Sequence, residues 1–220
     1  MKFLSSASLA VLLSIGLLSC NAQTSVKSVK KEKTESIQLE NLETAYFASG
    51  CFWCVEAVFE SVRGVGEVVS GYSGGDKSTA NYSDVSSGRT KHAEAVEVFY
   101  DPKVVDYQTL LVVFFGSQDP TTPNQQGNDR GPQYRSAIFY KSSDEKKAAE
   151  DYVAELTAAN TFDAPIVTEI VPFEVFYDAE DYHQNYERRN PNQPYVRAVS
   201  IPRLKRFQKK FPDLLKENHQ

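Results

Sequence analysis

The sequence predicts an α+β domain, a two-layer sandwich with helices packed on a mixed β-sheet. Three observations point there. Strand-like and helix-like segments alternate irregularly, unlike the regular order of a doubly wound fold. One strand candidate carries Pro172, which suits an edge position. From Thr44 to the C-terminus no linker or internal repeat appears, so residues 44–220 read as a single domain.

The elements follow in order. Ala45 to Ala48 is a short strand running into Gly50, and a helix starts near Cys51 and continues past Glu60. Val65 to Tyr72 is a strand that ends in the turn pair Gly74-Gly75. His92 to Tyr100 is the clearest strand, rich in Val and Ala and closed by Asp101-Pro102. Tyr107 to Phe115 is apolar all round, as a buried helix is. Arg135 to Tyr140 is a strand. Ser143 to Ala159 is a helix, capped by Ser142, Ser143 or Asp144, with Glu/Lys pairs on its wet face. Thr168 to Phe176 is the strand that Pro172 interrupts. Leu204, Phe207, Phe211 and Leu214 recur at helical spacing in a final helix. Its basic residues, Arg203, Lys205, Arg206, Lys209 and Lys210, read as a solvated face.

Composition narrows the function classes. Of 220 residues, 41% are hydrophobic and 24% charged, an ordinary balance for a packed protein. The net charge of -5 argues against a nucleic-acid partner, whose binders are usually basic. Three cysteines are too few for a disulfide scaffold, so the fold must rest on a hydrophobic core. Nothing demands an oligomer, and a monomer is expected.

The N-terminal segment reads as an address. Leu9 to Leu18 is an apolar run too short to span a bilayer, and Lys2 precedes it. Leu17-Leu18-Ser19-Cys20 resembles a bacterial lipobox, so residues 1–19 are expected to be a lipoprotein signal peptide and Cys20 the lipidated first residue. A plain secretory signal with a chance Cys is the alternative. Residues 20–43 then form a lipidated N-terminus and tether, since Asn21 to about Asn41 is rich in Ser, Thr, Lys, Glu and Gln; a short amphipathic helix is the weaker reading. The expected location is the cell envelope, with the protein exported and held to a membrane by its lipid.

The chemistry is concentrated in Gly50-Cys51-Phe52-Trp53-Cys54-Val55-Glu56. A strand leads into the glycine and a helix leads out, which puts Cys51 where unpaired N–H groups and the helix dipole favour a thiolate. Cys54 lies one turn on, and this spacing permits a disulfide. Three other readings stay open at this point. A structural zinc site needs four ligands, and only His92, His183 and His219 accompany the two thiols. The two cysteines could be buried and inert. A thioredoxin-like thiol–disulfide oxidoreductase also places Cys-x-x-Cys at a helix start.

The motif resembles the active-site segment of the A-type peptide methionine sulfoxide reductases. Further blocks follow in order: Gly71-Tyr72-Ser73-Gly74-Gly75 with Asn81-Tyr82, then Gly88-Arg89-Thr90-Lys91-His92-Ala93-Glu94, then Gln126 to Ser136, then Tyr182-His183-Gln184-Asn185-Tyr186. The likeness covers roughly residues 44 to 200 and implies a fold of the ferredoxin-like two-layer type that this family has. It implies reduction of methionine S-sulfoxide, free or in proteins, with no metal or prosthetic cofactor and with reducing equivalents from thioredoxin or a similar dithiol protein. Cys51 would be the nucleophile and Glu94 the general acid. Glu94 alternates with Val96 and Val98 on its strand, and a carboxyl on an apolar face tends to keep its proton. By resemblance, Tyr82 and Tyr134 would hold the sulfoxide oxygen, Phe52 and Trp53 would receive its methyl group, and Asp129 would help fix the substrate. His183 and Tyr186 match the family but receive no role. Many relatives carry resolving cysteines in a C-terminal tail; here no Cys follows Cys54, which leaves Cys54 as the resolving thiol. Ser86 and Gln118 also depart from the common pattern, where Cys and His are frequent.

Overall fold

The computed structural model describes residues 42–217. The expected signal peptide, Cys20 and nearly all of the tether lie outside the described residues. The strands are β1 (Glu43–Ser49), β2 (Val65–Ser73), β3 (Ala93–Tyr100), β4 (Gln125–Gln126), β5 (Asp129–Arg130), β6 (Ser136–Tyr140), β7 (Glu169–Pro172) and β8 (Phe176–Asp178). The helices are α1 (Phe52–Glu60), α2 (Tyr82–Ser86), α3 (Tyr107–Gly116), α4 (Ser143–Ala158), α5 (Tyr186–Arg189) and α6 (Ile201–Lys210).

Six strands form one sheet in the order β7-β6-β1-β3-β2-β8, antiparallel except for the parallel β6–β7 pair. The small β4–β5 hairpin stands apart. The expected mixed sheet with helices packed on it is therefore the observed architecture. Period-two alternation sorts the residues of β1, β3 and β6 between two faces. Phe47, Val96, Val98 and Ile138 join Val55, Val58 and Phe59 of α1 and Leu110, Leu111 and Phe114 of α3 in the main core. The opposite face is lined by small residues, Ala48, Ala93, Ala95 and Ala137, together with Tyr46 and Phe139. That thin face is covered by the chain itself: Val171, Phe173 and Phe176 pack on it, with Phe173 stacked on Tyr46 at 3.9 Å.

This covering strap corrects one expected element. Thr168 to Phe176 does not form one strand. Pro172 ends β7 at one edge of the sheet, and the chain then crosses the alanine face to form β8 at the other edge. The proline is at an edge as expected, but the segment supplies both edges. The final helix is also shorter than expected. Pro212 closes it, and Phe211 and Leu214 pack from a following 3₁₀ turn. The cap of α4 is Ser142, whose side chain accepts from the Glu145 N–H.

Candidate active site

β1 delivers the chain to the centre of the molecule at Ser49, and Gly50 turns it with φ +84° into α1. A side chain at position 50 would meet Gln126 Cβ at 2.6 Å, so glycine lets the β4–β5 hairpin close over this turn. Arg203 of α6 holds the turn from below. Its guanidinium donates to Ser49 O at 2.8 Å, to Ser49 Oγ at 3.0 Å and to Ser117 O at 2.8 Å. All three acceptors are neutral, which leaves a buried positive charge beside the site.

Cys51 is the residue that caps α1, and the Cys54 and Val55 N–H groups donate to its carbonyl. Both thiols are buried and unbridged. Their ionisation differs from the sequence expectation. Burial, then the neighbouring Cys54, push the Cys51 thiol well above its usual range. Cys54 is brought down to about 7, chiefly by its hydrogen bond with Cys51 and then by Arg203, Ser200 and Tyr195. The pair thus carries its first negative charge on Cys54. The first helical N–H is unavailable to Cys51 because Phe52 N donates to Glu94 Oε2 at 3.1 Å.

Glu94 sits on β3 opposite Tyr72 of β2, on the face that carries the core, and is 2% exposed. Burial raises its pKa to about 8 against the opposing Phe52 N–H bond. It is therefore a protonated carboxyl at neutral pH, held at the start of the helix that Cys51 caps. With Oε2 accepting from Phe52, Oε1 remains to carry the proton.

Tyr82 opens α2 behind the Asn81 cap, and its N–H donates to Glu180 Oε1 at 2.9 Å. Tyr134 ends the 3₁₀ turn Pro132–Tyr134, which Gly131 enters at φ +136°. Burial first, then Glu94 and Cys51, raise both phenols, so each keeps its O–H. The two residues come from either side of Glu94 in the sequence, and both phenols feel the charges of Glu94 and Cys51.

Phe52 is 1% exposed and packs against His183 at 4.9 Å and Tyr72 at 5.9 Å, so it is a core residue as well as a neighbour of the nucleophile. Trp53 is only partly buried. Its ring stacks on Tyr186 at 3.8 Å, meets Tyr195 edge-on at 6.0 Å and donates Nε1–H to His183 Nδ1 at 3.1 Å. This gives His183 the role that its motif alone did not. Because indole N–H can only donate, His183 is neutral with its proton on Nε2, in keeping with a pKa lowered by burial. Asp129, on β5, accepts from Tyr195 Oη at 2.5 Å, and that same oxygen lies 3.8 Å from Cys54 Sγ. Its observed partner is thus on the Cys54 side.

Sequence reasoning missed four members, and it placed one of them, Arg203, on a solvated face, whereas the structure buries it against Ser49 and Ser117. Tyr195 and Arg203 flank Cys54, Glu180 anchors Tyr82 and Tyr72, and Glu56 holds the chain at Asn185. Only Glu56 stood in a quoted motif. Ser86 and Gln118 bond locally, to Ser83 and Gln126. Among the described residues no group of three or more His, Cys, Asp or Glu side chains is placed to hold a metal ion.

Residues 43–215 match the family model described as peptide methionine sulfoxide reductase. Among curated relatives, peptide methionine sulfoxide reductase MsrA 2 of Synechocystis sp. is 50% identical over 175 residues, covering 79% of this chain and 82% of that protein. The MsrA of Sulfolobus acidocaldarius is 48% identical over 172 residues, covering 78% and 97%. Among solved structures, reduced Mxr1 from Saccharomyces cerevisiae superposes with TM-score 0.64 at 34% identity, covering 70% of this chain and 88% of that one. Methionine sulfoxide reductase A of Corynebacterium diphtheriae gives TM-score 0.61 at 37% identity, covering 69% and 76%.

Proposed function

Since the chain belongs to the peptide methionine sulfoxide reductase family, and so is an oxidoreductase that returns methionine sulfoxide to methionine, we propose that Cys51 is its nucleophile, Glu94 its acid and Cys54 its resolving thiol. The observation that carries this reading is the buried Glu94 carboxyl bonded to the N–H of the residue after Cys51, where burial raises its pKa to about 8.

The reaction has two obstacles. A buried thiol must become a nucleophile, and the sulfoxide oxygen must become a leaving group. Cys51 passes its proton to the Cys54 thiolate, its hydrogen-bond partner, and attacks the sulfoxide sulfur. Glu94 protonates the oxygen as the new S–S interaction forms, while the Tyr82 and Tyr134 hydroxyls hold it. Oxygen is transferred to Cys51. The methionine sulfur gains two electrons, and Cys51 loses two to become a sulfenic acid. The Cys54 thiol then attacks the Cys51 sulfur, the oxygen leaves as water, and a Cys51–Cys54 disulfide closes the sequence. A dithiol protein of the thioredoxin type reduces that bond, becoming a disulfide itself. Trp53, Phe52, His183 and Tyr186 wall the apolar pocket for the methyl group of the S epimer, and Asp129 orders the Tyr195 side. No observation favours the thioredoxin-like alternative.

One assay tests the roles. The full chain, dithiothreitol and racemic dabsyl-methionine sulfoxide should lose only the S epimer, and Cys51→Ser should abolish that loss. Persistence of both epimers would overturn the reading, and insulin-disulfide reduction in their place would favour the alternative. Glu94→Gln should lower the rate by roughly 10²–10⁴, the usual worth of a positioned acid. In Cys54→Ser one turnover should survive while thioredoxin-driven cycling falls sharply; undiminished cycling would mean the donor reduces the sulfenic acid directly.

The lipoprotein form belongs to the same proposal. The apolar run ending in Leu17-Leu18-Ser19-Cys20 supports cleavage before Cys20, lipidation of its thiol and export to the cell envelope. The electron donor must then face the same compartment. Palmitate labelling that persists in Cys20→Ala would exclude the anchor.

A further inference from the structure

Glu56 is a buried ionisable group for which the reaction has no use. It is 1% exposed, on α1, one turn beyond Trp53 and on the same side of the helix. Its carboxyl accepts twice: from Ser70 Oγ at 2.7 Å and from the backbone N–H of Asn185 at 2.6 Å. Asn185 has φ +54°, in the left-handed region that asparagine enters more readily than other non-glycine residues, and its bond to Glu56 helps to hold it there. The residues on its two sides matter. His183 takes the Trp53 indole N–H, and Tyr186 stacks on the indole face. Gln184 is pinned independently, pairing with both backbone groups of Ser70 at 2.9 Å. The turn is therefore fixed at two points, by Gln184 on β2 and by Asn185 on Glu56.

A cleft of about 470 Å³ shows why packing alone would not hold it. Trp53, Glu56, Asn185 and Tyr186 all line this cleft, which opens between α1, α5 and α6. A turn released from Glu56 has empty space to move into, and Tyr186 would leave the indole as it moved.

We infer that Glu56 is a positioning residue for substrate binding: its carboxyl holds the Asn185 N–H and so keeps His183 and Tyr186 closed on the Trp53 indole. This rests on the reading of Trp53 as a wall of the sulfoxide pocket. It makes reach, not charge, the property that counts. Glutamine keeps an acceptor at the same distance; aspartate keeps the charge but falls short by one methylene.

The test compares Glu56→Gln and Glu56→Asp in the full chain, with methionine S-sulfoxide and dithiothreitol, and reads the emission of Trp53, the sole tryptophan. Glu56→Asp should raise KM roughly tenfold, the order of effect of one buried hydrogen bond lost, with kcat within about twofold and emission shifted to longer wavelength. Glu56→Gln should leave KM and emission as in the parent protein. The reverse pattern, or an unchanged KM and emission in Glu56→Asp, would overturn the inference. Trp53→Ala separates the two levels. If it leaves KM unaltered the pocket reading fails, while the emission of Glu56→Asp still reports the clamp. Should Glu56→Asp not fold, hydrogen exchange of the Asn185 amide in the parent protein decides: protection supports the bond, and exchange as fast as in an open loop overturns it.

Discussion

At the scale of single residues the site is built from opposed ionisations. Three groups that matter, Cys51, Cys54 and Glu94, are all buried, yet their pKa values move apart. Burial alone would raise all three. The hydrogen bond with Cys51 and the Arg203 charge make Cys54 the exception and bring it to about 7, while Glu94 rises to about 8. The enzyme needs the thiol pair to have lost one proton and Glu94 to have kept its own. A narrow bell follows for kcat/KM, rising through about 7 and falling through about 8. Glu94→Gln should abolish the falling limb along with most of the rate. A falling limb that persists in that variant would assign it to another group. The sequence could suggest the position of each residue but not this order, because the first-turn N–H was expected to serve Cys51 and serves Glu94 instead.

At the scale of elements, legibility followed length. The long periodic segments appear close to where their patterns put them: β3, α3 and α4 differ from expectation by a residue at most. α2 and α5, of five and four residues, are too short to show a period and were not anticipated. Likewise, Cys51, Glu94 and Trp53 stand in local motifs, whereas Arg203 reaches Ser49 across 154 residues, a pairing that no spacing announces. The split of the proline-bearing strand was invisible for the same reason, since its second half finds a partner at the far edge. Gly71 makes that partnership possible. A Cβ there would lie 2.3 Å from Phe176 Cζ and 2.4 Å from Tyr177 O, inside β8 itself. Gly71→Ala should therefore cost about 1–3 kcal/mol, as overpacking does, and appear as a lowered melting temperature. It should also depress kcat/KM, because β8 leads directly to Glu180, the anchor of Tyr82. Gly127→Ala is the useful contrast. With φ +60° and nothing within 4 Å, it should cost about 1 kcal/mol through backbone conformation alone. Equal losses at the two sites would show that β8 yields without resistance.

At the scale of the whole molecule, a site full of buried carboxyls trades against stability. Burial raises Glu56 from 4.5 to about 7 and Glu94 from 4.5 to about 8, and it raises Glu60 and Glu187 as well. A carboxyl whose folded pKa exceeds its unfolded one binds more protons in the native state. Its stabilising contribution is then complete below the unfolded pKa and is lost as pH rises through the folded one. The loss should begin near 4.5 and run to about 7 for Glu56 and about 8 for Glu94. Groups shifted the other way set the remaining limits. Glu180 and Asp106 are lowered, so their contribution vanishes in acid, while Cys54 adds stability only above about 7. The full chain should accordingly resist urea best at about pH 5 and weaken toward neutrality. Glu56→Gln combined with Glu94→Gln should flatten that slope by removing on the order of 5 kcal/mol of pH-dependent stability between pH 5 and pH 7. A urea midpoint that climbs steadily from pH 5 to pH 7 would mean that these carboxyls are ionised in the folded protein, and Glu94 would then have no proton to give.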